Sequence, residues 1–208
     1  MQKPLYAILV DGGYITKLLK DRNKQPATAD QVEAECQRIM ALPLVADYEL
    51  LRIYYYDAYP STDTVKKPIS GEAFPLAATT RFNEAQALYD RLILKPHFAL
   101  RMGSVSLSPY VWKMKSRVAK ELMKTPRALQ DDDFVLDMSQ KGVDIRIGMD
   151  MARLALREMV RAVVVVTGDT DFVPAFKYVR REGVKVFLET LGGGGRVELR
   201  SHADIVIS

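Results

Sequence analysis

Ala162-Val163-Val164-Val165-Val166-Thr167-Gly168-Asp169-Thr170-Asp171-Phe172 is the stretch whose reading decides the fold. Its first half is an unbroken β-branched run, the pattern of a strand buried on both faces. Its second half sets two aspartates just past the carboxyl end of that strand. Tyr6-Ala7-Ile8-Leu9-Val10 followed by Asp11-Gly12-Gly13 repeats the arrangement near the start of the chain. Two apolar strands that each end in acid are the frame on which the other segments are placed.

Helical spacing from about Asp144 to Glu158 precedes the valine strand, and a well-punctuated helix follows it. Pro174 sits in a first turn that tolerates it, Arg180 and Arg181 in a last turn where cations suit the helix dipole, and Gly183 at the stop. Further upstream, a helix runs to about Lys20. Another begins after Pro26, where Thr28 and Gln31 have capping-box spacing. Leu50 to Tyr56 and Phe98 to Leu107 read as strands, Arg81 to Leu94 as a helix stopped by Pro96, Val184 to Leu188 as a strand, and Ala203 to Ile207 as a last one. Residues 60–80, with Pro60, Pro68, Gly71 and Pro75, show no period and read as a mobile loop. Strands alternating with helices of this length imply right-handed crossovers and an α/β fold with a mostly parallel central sheet between helix layers.

The chain has 208 residues, 48% of them hydrophobic, enough for one substantial core and a single domain over 1–208, with the loop at about 60–80 and a basic insertion at about 108–140. Lys and Arg number 30 against 26 Asp and Glu, a mildly basic balance that suits a polyanionic partner without requiring one. With one cysteine, Cys36, no intramolecular disulfide forms. No apolar stretch approaches the roughly 20 residues that span a bilayer, and no cleavable leader precedes the first strand. A cytoplasmic protein without a membrane partner is the expectation.

In open α/β sheets, sites form outside the carboxyl ends of the strands. If the first strand and the valine strand are neighbours, Asp11, Asp169 and Asp171 meet at one edge. Their repulsion is relieved by a shared proton or by a hard divalent cation, which prefers carboxylate oxygens and water. Each Asp taken singly would serve equally well as the cap of the helix that follows. Asp150 lies inside a helix between Arg146 and Arg153, where an exposed ion-pair stripe competes with a functional role. Asp144, opening that helix, suits an N-cap. His97 and His202 read as structural or surface residues.

Three segments together resemble the NYN-domain branch of the PIN-like nucleases, its LabA-like members in particular. They are Val10-Asp11-Gly12-Gly13-Tyr14, Lys141-Gly142-Val143-Asp144-Ile145-Arg146-Ile147-Gly148-Met149-Asp150, and Thr167 through Ala175. The resemblance implies a three-layer α/β/α PIN-like fold and a hydrolase in which Mg²⁺ or Mn²⁺ activates water against a phosphodiester, usually in RNA. It implies catalytic roles for Asp11, Asp150, Asp169 and Asp171, and adds Asp144 to them as a metal ligand. Many relatives carry Asn three residues after the first Asp, where this chain has Tyr14. That departure leaves open a non-catalytic module that binds nucleic acid or regulates. A phosphohydrolase of the dehalogenase class fits poorly, because Gly13 stands where its second aspartate is needed.

For substrate contact, the segment Tyr110, Trp112, Lys113, Lys115, Arg117, Lys120, Lys124, Arg127 mixes cations and aromatics against one acid, Glu121. Cations bind phosphates and aromatic faces stack on unpaired bases. The same spacing also describes a solvated amphipathic helix. Lys141 is a further phosphate-binding candidate, and Tyr14, Thr167 and Thr170 stand next to the acids. Gly192 to Gly195 reads as a linker, lacking the end of a nucleotide loop.

Overall fold

The computed structural model describes residues 2–207, apart from the side chains of residues 109 and 110. In chain order the elements begin β1 (Leu5–Asp11), α1 (Gly12–Asn23), α2 (Ala29–Met40), β2 (Glu49–Tyr59), β3 (Thr64–Lys66), β4 (Ala73–Pro75) and α3 (Thr80–Leu92). They continue β5 (Phe98–Met114), α4 (Ser116–Lys124), β6 (Phe134–Lys141), α5 (Val143–Leu156), β7 (Ala162–Val166), α6 (Val173–Arg181), β8 (Lys185–Glu189), α7 (Val197–Ser201) and β9 (Ile205–Ile207). Two compact units interleave along the chain: residues up to 57, 87–103 and from 142 onward form the first, and 58–86 with 104–141 the second.

The first unit is built on a sheet in the order β5-β2-β1-β7-β8-β9. β1 pairs in parallel with β2 on one side and β7 on the other, and β7, β8 and β9 continue in parallel. The chain moves outward from β1 to β2 and later returns to its other flank through β7, so the topological switch falls at β1. Register aligns the carboxyl ends, with Asp11 opposite Tyr56, Val10 opposite Val166, and Val166 opposite Glu189. Ala162 to Val166 are buried to 1% or less, as are Ala7 to Val10. Sequestering each Val, Ile or Leu side chain contributes about 1.5–3 kcal/mol, which is why these two strands form the centre.

Helices lie on both faces of this sheet. On β2, Tyr55 faces Tyr89 of α3 with ring centroids 6.4 Å apart, while its neighbour Tyr56, on the opposite face, bonds to Asp150 of α5. α1 starts so close to β2 that a Cβ on Gly12 would lie 2.6 Å from the Tyr56 carbonyl oxygen, so only glycine fits directly after Asp11. α2 carries the expected capping box: Thr28 accepts from the Gln31 amide while the Gln31 side chain accepts from the Thr28 amide. α6 has its proline in the first turn and ends before Gly183 at φ +79°. The mostly parallel α/β/α architecture expected from the element order is what the chain adopts. No helix among the described residues is long and apolar enough to cross a membrane.

In the second unit, β3 and β4 form an antiparallel hairpin, and β5 pairs antiparallel with β6 from Ser104–Lys141 to Met114–Phe134. Trp112 donates from its indole nitrogen to the Lys66 carbonyl (2.7 Å) and packs its ring against Phe74. Residues 60–80 are therefore not the unstructured loop expected: β3, β4 and a 3-10 turn at Leu76–Ala78 occupy them, each too short for a period to be read. β6 and α7 are likewise additions to the sequence reading, and β5 runs seven residues further than expected.

Candidate carboxylate site

Asp11 ends β1 and caps α1. Its Oδ1 accepts from the Tyr14 amide (3.1 Å) and its Oδ2 from the Thr167 hydroxyl (3.0 Å). Thr167, fully buried just past β7, accepts in turn from the Asp169 amide (3.2 Å), so one hydroxyl ties the acid after β1 to the acid after β7. Asp169 then caps the 3-10 turn Thr170–Phe172 by accepting from the Asp171 amide (3.0 Å), which leaves Asp169 and Asp171 at the surface of the same loop. Thr170 opens that turn and is half-buried.

Two further acids act on this edge. Asp144 stands in the first turn of α5, and its carboxyl is raised above the usual range, first by partial withdrawal from water and then by the charges of Asp169 and Asp171. Asp11 is raised as well, chiefly by burial; the hydrogen bonds from Tyr14 and Thr167 oppose this, while Asp144 and Asp57 add to it. Asp57, two residues before the end of β2, is 5% exposed and accepts from the Tyr55 hydroxyl (3.3 Å). It was not among the residues singled out from sequence, although Asp directly after the expected strand Leu50 to Tyr56 is the same signal that marked Asp11. The charge held at this edge is the kind a hard divalent cation offsets, and the donors are all carboxylate oxygens. Among the described residues, no three His, Cys, Asp or Glu side chains are grouped tightly enough to hold a metal ion as they stand.

Asp150 is placed differently. Six residues beyond Asp144, it lies about 9 Å further along α5 and two-thirds of a turn around it. Its Oδ2 accepts from the Tyr56 hydroxyl (3.0 Å) and from Arg101 Nε (3.1 Å), and Arg101 covers the Tyr54 ring at 5.1 Å. Its cation is thus Arg101 of β5, not the Arg146 and Arg153 of its own helix. Tyr14 points its hydroxyl to the Thr190 carbonyl (2.7 Å) and lays its ring on Gly168, where any Cβ would come within 2.5 Å of it. Behind it, fully buried Glu189 is held by Arg38 and by the Leu191 amide.

The expected basic surface does not stand free of acids. Lys113 pairs with Asp137 (2.8 Å), Arg117 with Glu121 (3.4 Å), and Arg127 bidentately with buried Asp133. Lys115 donates to the Asp132 carbonyl, and Trp112 is committed to Lys66 and Phe74. Glu121 apart, the acids arrive with β6 and the turn before it, elements that the local sequence window 110–127 does not contain. Lys141, at the end of β6, is exposed. The Tyr110 side chain lies outside the described residues.

Residues 111–208 match the model of the NYN domain. That stretch contains Asp144, Asp150, Asp169 and Asp171, whereas Asp11 lies before it. A solved structure of a protein of unknown function from Vibrio parahaemolyticus resembles the chain with a TM-score of 0.54, covering 100% of this chain and 95% of that one at 16% identity. At that identity the likeness is one of fold. No curated protein matches.

Proposed function

We propose, from the match of residues 111–208 to the NYN domain, a family of PIN-like nucleases, that the chain is a divalent-metal-dependent nuclease hydrolysing phosphodiester bonds, RNA foremost. The observation that carries this reading is the Thr167 hydroxyl, which fixes Asp11 and Asp169 to each other at the switch point of the sheet. Asp11, Asp144, Asp169 and Asp171 are the residues proposed to hold Mg²⁺ or Mn²⁺. When bound, such an ion supplies an activated water and offsets charge growing on the phosphodiester. Asp150 is assigned to this reaction through Arg101 and Tyr56, as the group that orients a cation and a hydroxyl beside the site.

The test is cleavage of labelled single-stranded RNA by the purified full chain with and without Mg²⁺ or Mn²⁺. Asp11→Asn and Asp169→Asn should each abolish it while circular dichroism and melting stay close to wild type. Retained cleavage in both variants sinks the proposal. A second reading, a module that binds nucleic acid without cutting it, is favoured by Tyr14, whose hydroxyl is occupied by backbone. Binding without turnover in either metal would establish it.

A further inference from the structure

The edge of the first unit opposite the carboxylates is cationic. An open cavity of about 440 Å³ lies where α6 turns into β8, walled by Lys177, Arg180, Arg181, Lys185 and Asp204. Asp204 is fully engaged: Oδ1 takes Arg180 at 2.8–2.9 Å and Oδ2 accepts from the Val186 amide at 2.8 Å. Lys177, Arg181 and Lys185 remain, all exposed and with no ion pair among the described residues. Cations in the last turn of a helix are ordinarily explained by its dipole, which accounts for Arg180 and Arg181. It does not account for Lys177, one turn earlier, or for Lys185 on the next strand. Glu182, the other acid of this turn, lines neither this cavity nor its neighbour.

A second cavity of about 520 Å³ adjoins the first, sharing Lys185 and Asp204, and its wall is apolar: Pro4, Leu44, Tyr48, Phe187 and Ile205, with Asp47 at the side. Tyr48 is half-buried, fixed edge-on by Tyr6 at 6.3 Å and Phe187 at 6.4 Å. Three uncommitted cations beside an immobilised aromatic ring match the chemistry of a nucleotide, phosphate on one side and base on the other. The acidic edge repels a polyanion, and the cations of 113–127 are largely spent on acids of their own unit.

We propose that this edge is an accessory site for one nucleotide unit of a single-stranded nucleic acid, with Lys177, Arg181 and Lys185 on its phosphate and Tyr48 against its base. The inference rests on the nucleic-acid part of the function proposed above. The test is fluorescence anisotropy of a labelled oligouridine, titrated with the full chain at several salt concentrations without divalent ions. The combined Lys177→Ala/Arg181→Ala/Lys185→Ala variant should weaken binding at least about tenfold and flatten the slope of log K against log salt by about 0.7, the contribution of one neutralised phosphate on a single strand. Tyr48→Leu should weaken binding with the slope unchanged. Wild-type affinity and slope in the triple variant overturn the site, as does binding of anionic lipid vesicles in place of RNA. If metal-dependent cleavage is lost in Asp11→Asn while the triple variant binds as wild type, the accessory site alone fails. If the wild-type chain binds no oligonucleotide, the nucleic-acid reading fails with it.

Discussion

The Thr167 hydroxyl donates to Asp11 Oδ2 at 3.0 Å across 156 residues of sequence, and accepts from the Asp169 amide at 3.2 Å. One buried oxygen thus sets the spacing between the acids of β1 and β7. Thr167→Val keeps the shape and removes the hydroxyl, leaving a carboxylate oxygen and an amide short of a partner. A cost of about 1–3 kcal/mol in stability follows, together with a fall in cleavage rate. Thr167→Ser should restore both. Urea melts and single-turnover rates check this; full activity in Thr167→Val would show that the acids hold their places without it.

Tyr14 occupies the position where many relatives of the resembled family carry Asn, and its hydroxyl is bonded to the Thr190 carbonyl at 2.7 Å. Tyr14→Phe should therefore cost about 0.5–1.5 kcal/mol in stability and leave cleavage nearly unchanged. Gly168→Ala, whose Cβ would press to 2.5 Å from the Tyr14 ring, should be the more damaging change of the two. Cleavage abolished in a folded Tyr14→Phe would mean the hydroxyl reaches substrate.

Asp144 and Asp150 share α5 and behave as different kinds of group. Asp144 has its carboxyl raised by partial burial first and then by the charges of Asp169 and Asp171, so Asp144→Asn relieves a cost of holding the charge there: cleavage should be lost while the melting temperature holds or rises. Asp150 is partnered by Arg101 and Tyr56. Asp150→Asn should lower the melting temperature, and Arg101→Ala should lower cleavage in parallel with it. Equal melting temperatures for Asp144→Asn and Asp150→Asn would remove the distinction drawn here.

The parallel core was legible because Ala162 to Val166 and Tyr6 to Val10 are uninterrupted apolar runs, and because each ends in acid at the edge where such sheets place their sites. Register could not be read in the same way. Only pairing shows that Val10, Val166 and Glu189 end together, and that Asp57 joins the same edge from β2. The cations at 113 and 127 looked unpaired because their partners, Asp137 and Asp133, enter through β6 and the turn before it, whereas Glu121, the partner of Arg117, lies one helical turn away within the segment. In β6, Phe134, Leu136 and Met138 do alternate, yet apolar Val135 and the acid Asp137 stand between them and mask the pattern. The Asp150–Arg101 pair spans 49 residues, beyond any helical spacing rule.

The Arg127–Asp133 pair gives the second unit a sharp acid dependence. Two guanidinium nitrogens at 2.6 and 2.7 Å, joined by the Gln130 amide at 2.8 Å, hold the Asp133 carboxyl at about 2 against an ordinary 3.8. A depressed folded-state value means stability that is present above 3.8 and is lost as pH falls from there through about 2. Asp133→Asn lacks this contribution at every pH. The wild-type protein should therefore melt above the variant at neutral pH, with the gap closing across that acid window. Thermal melts of both proteins through the window are the measurement, and a gap that stays constant down to about pH 2 would show that the pair does not bind its proton differently in the folded chain.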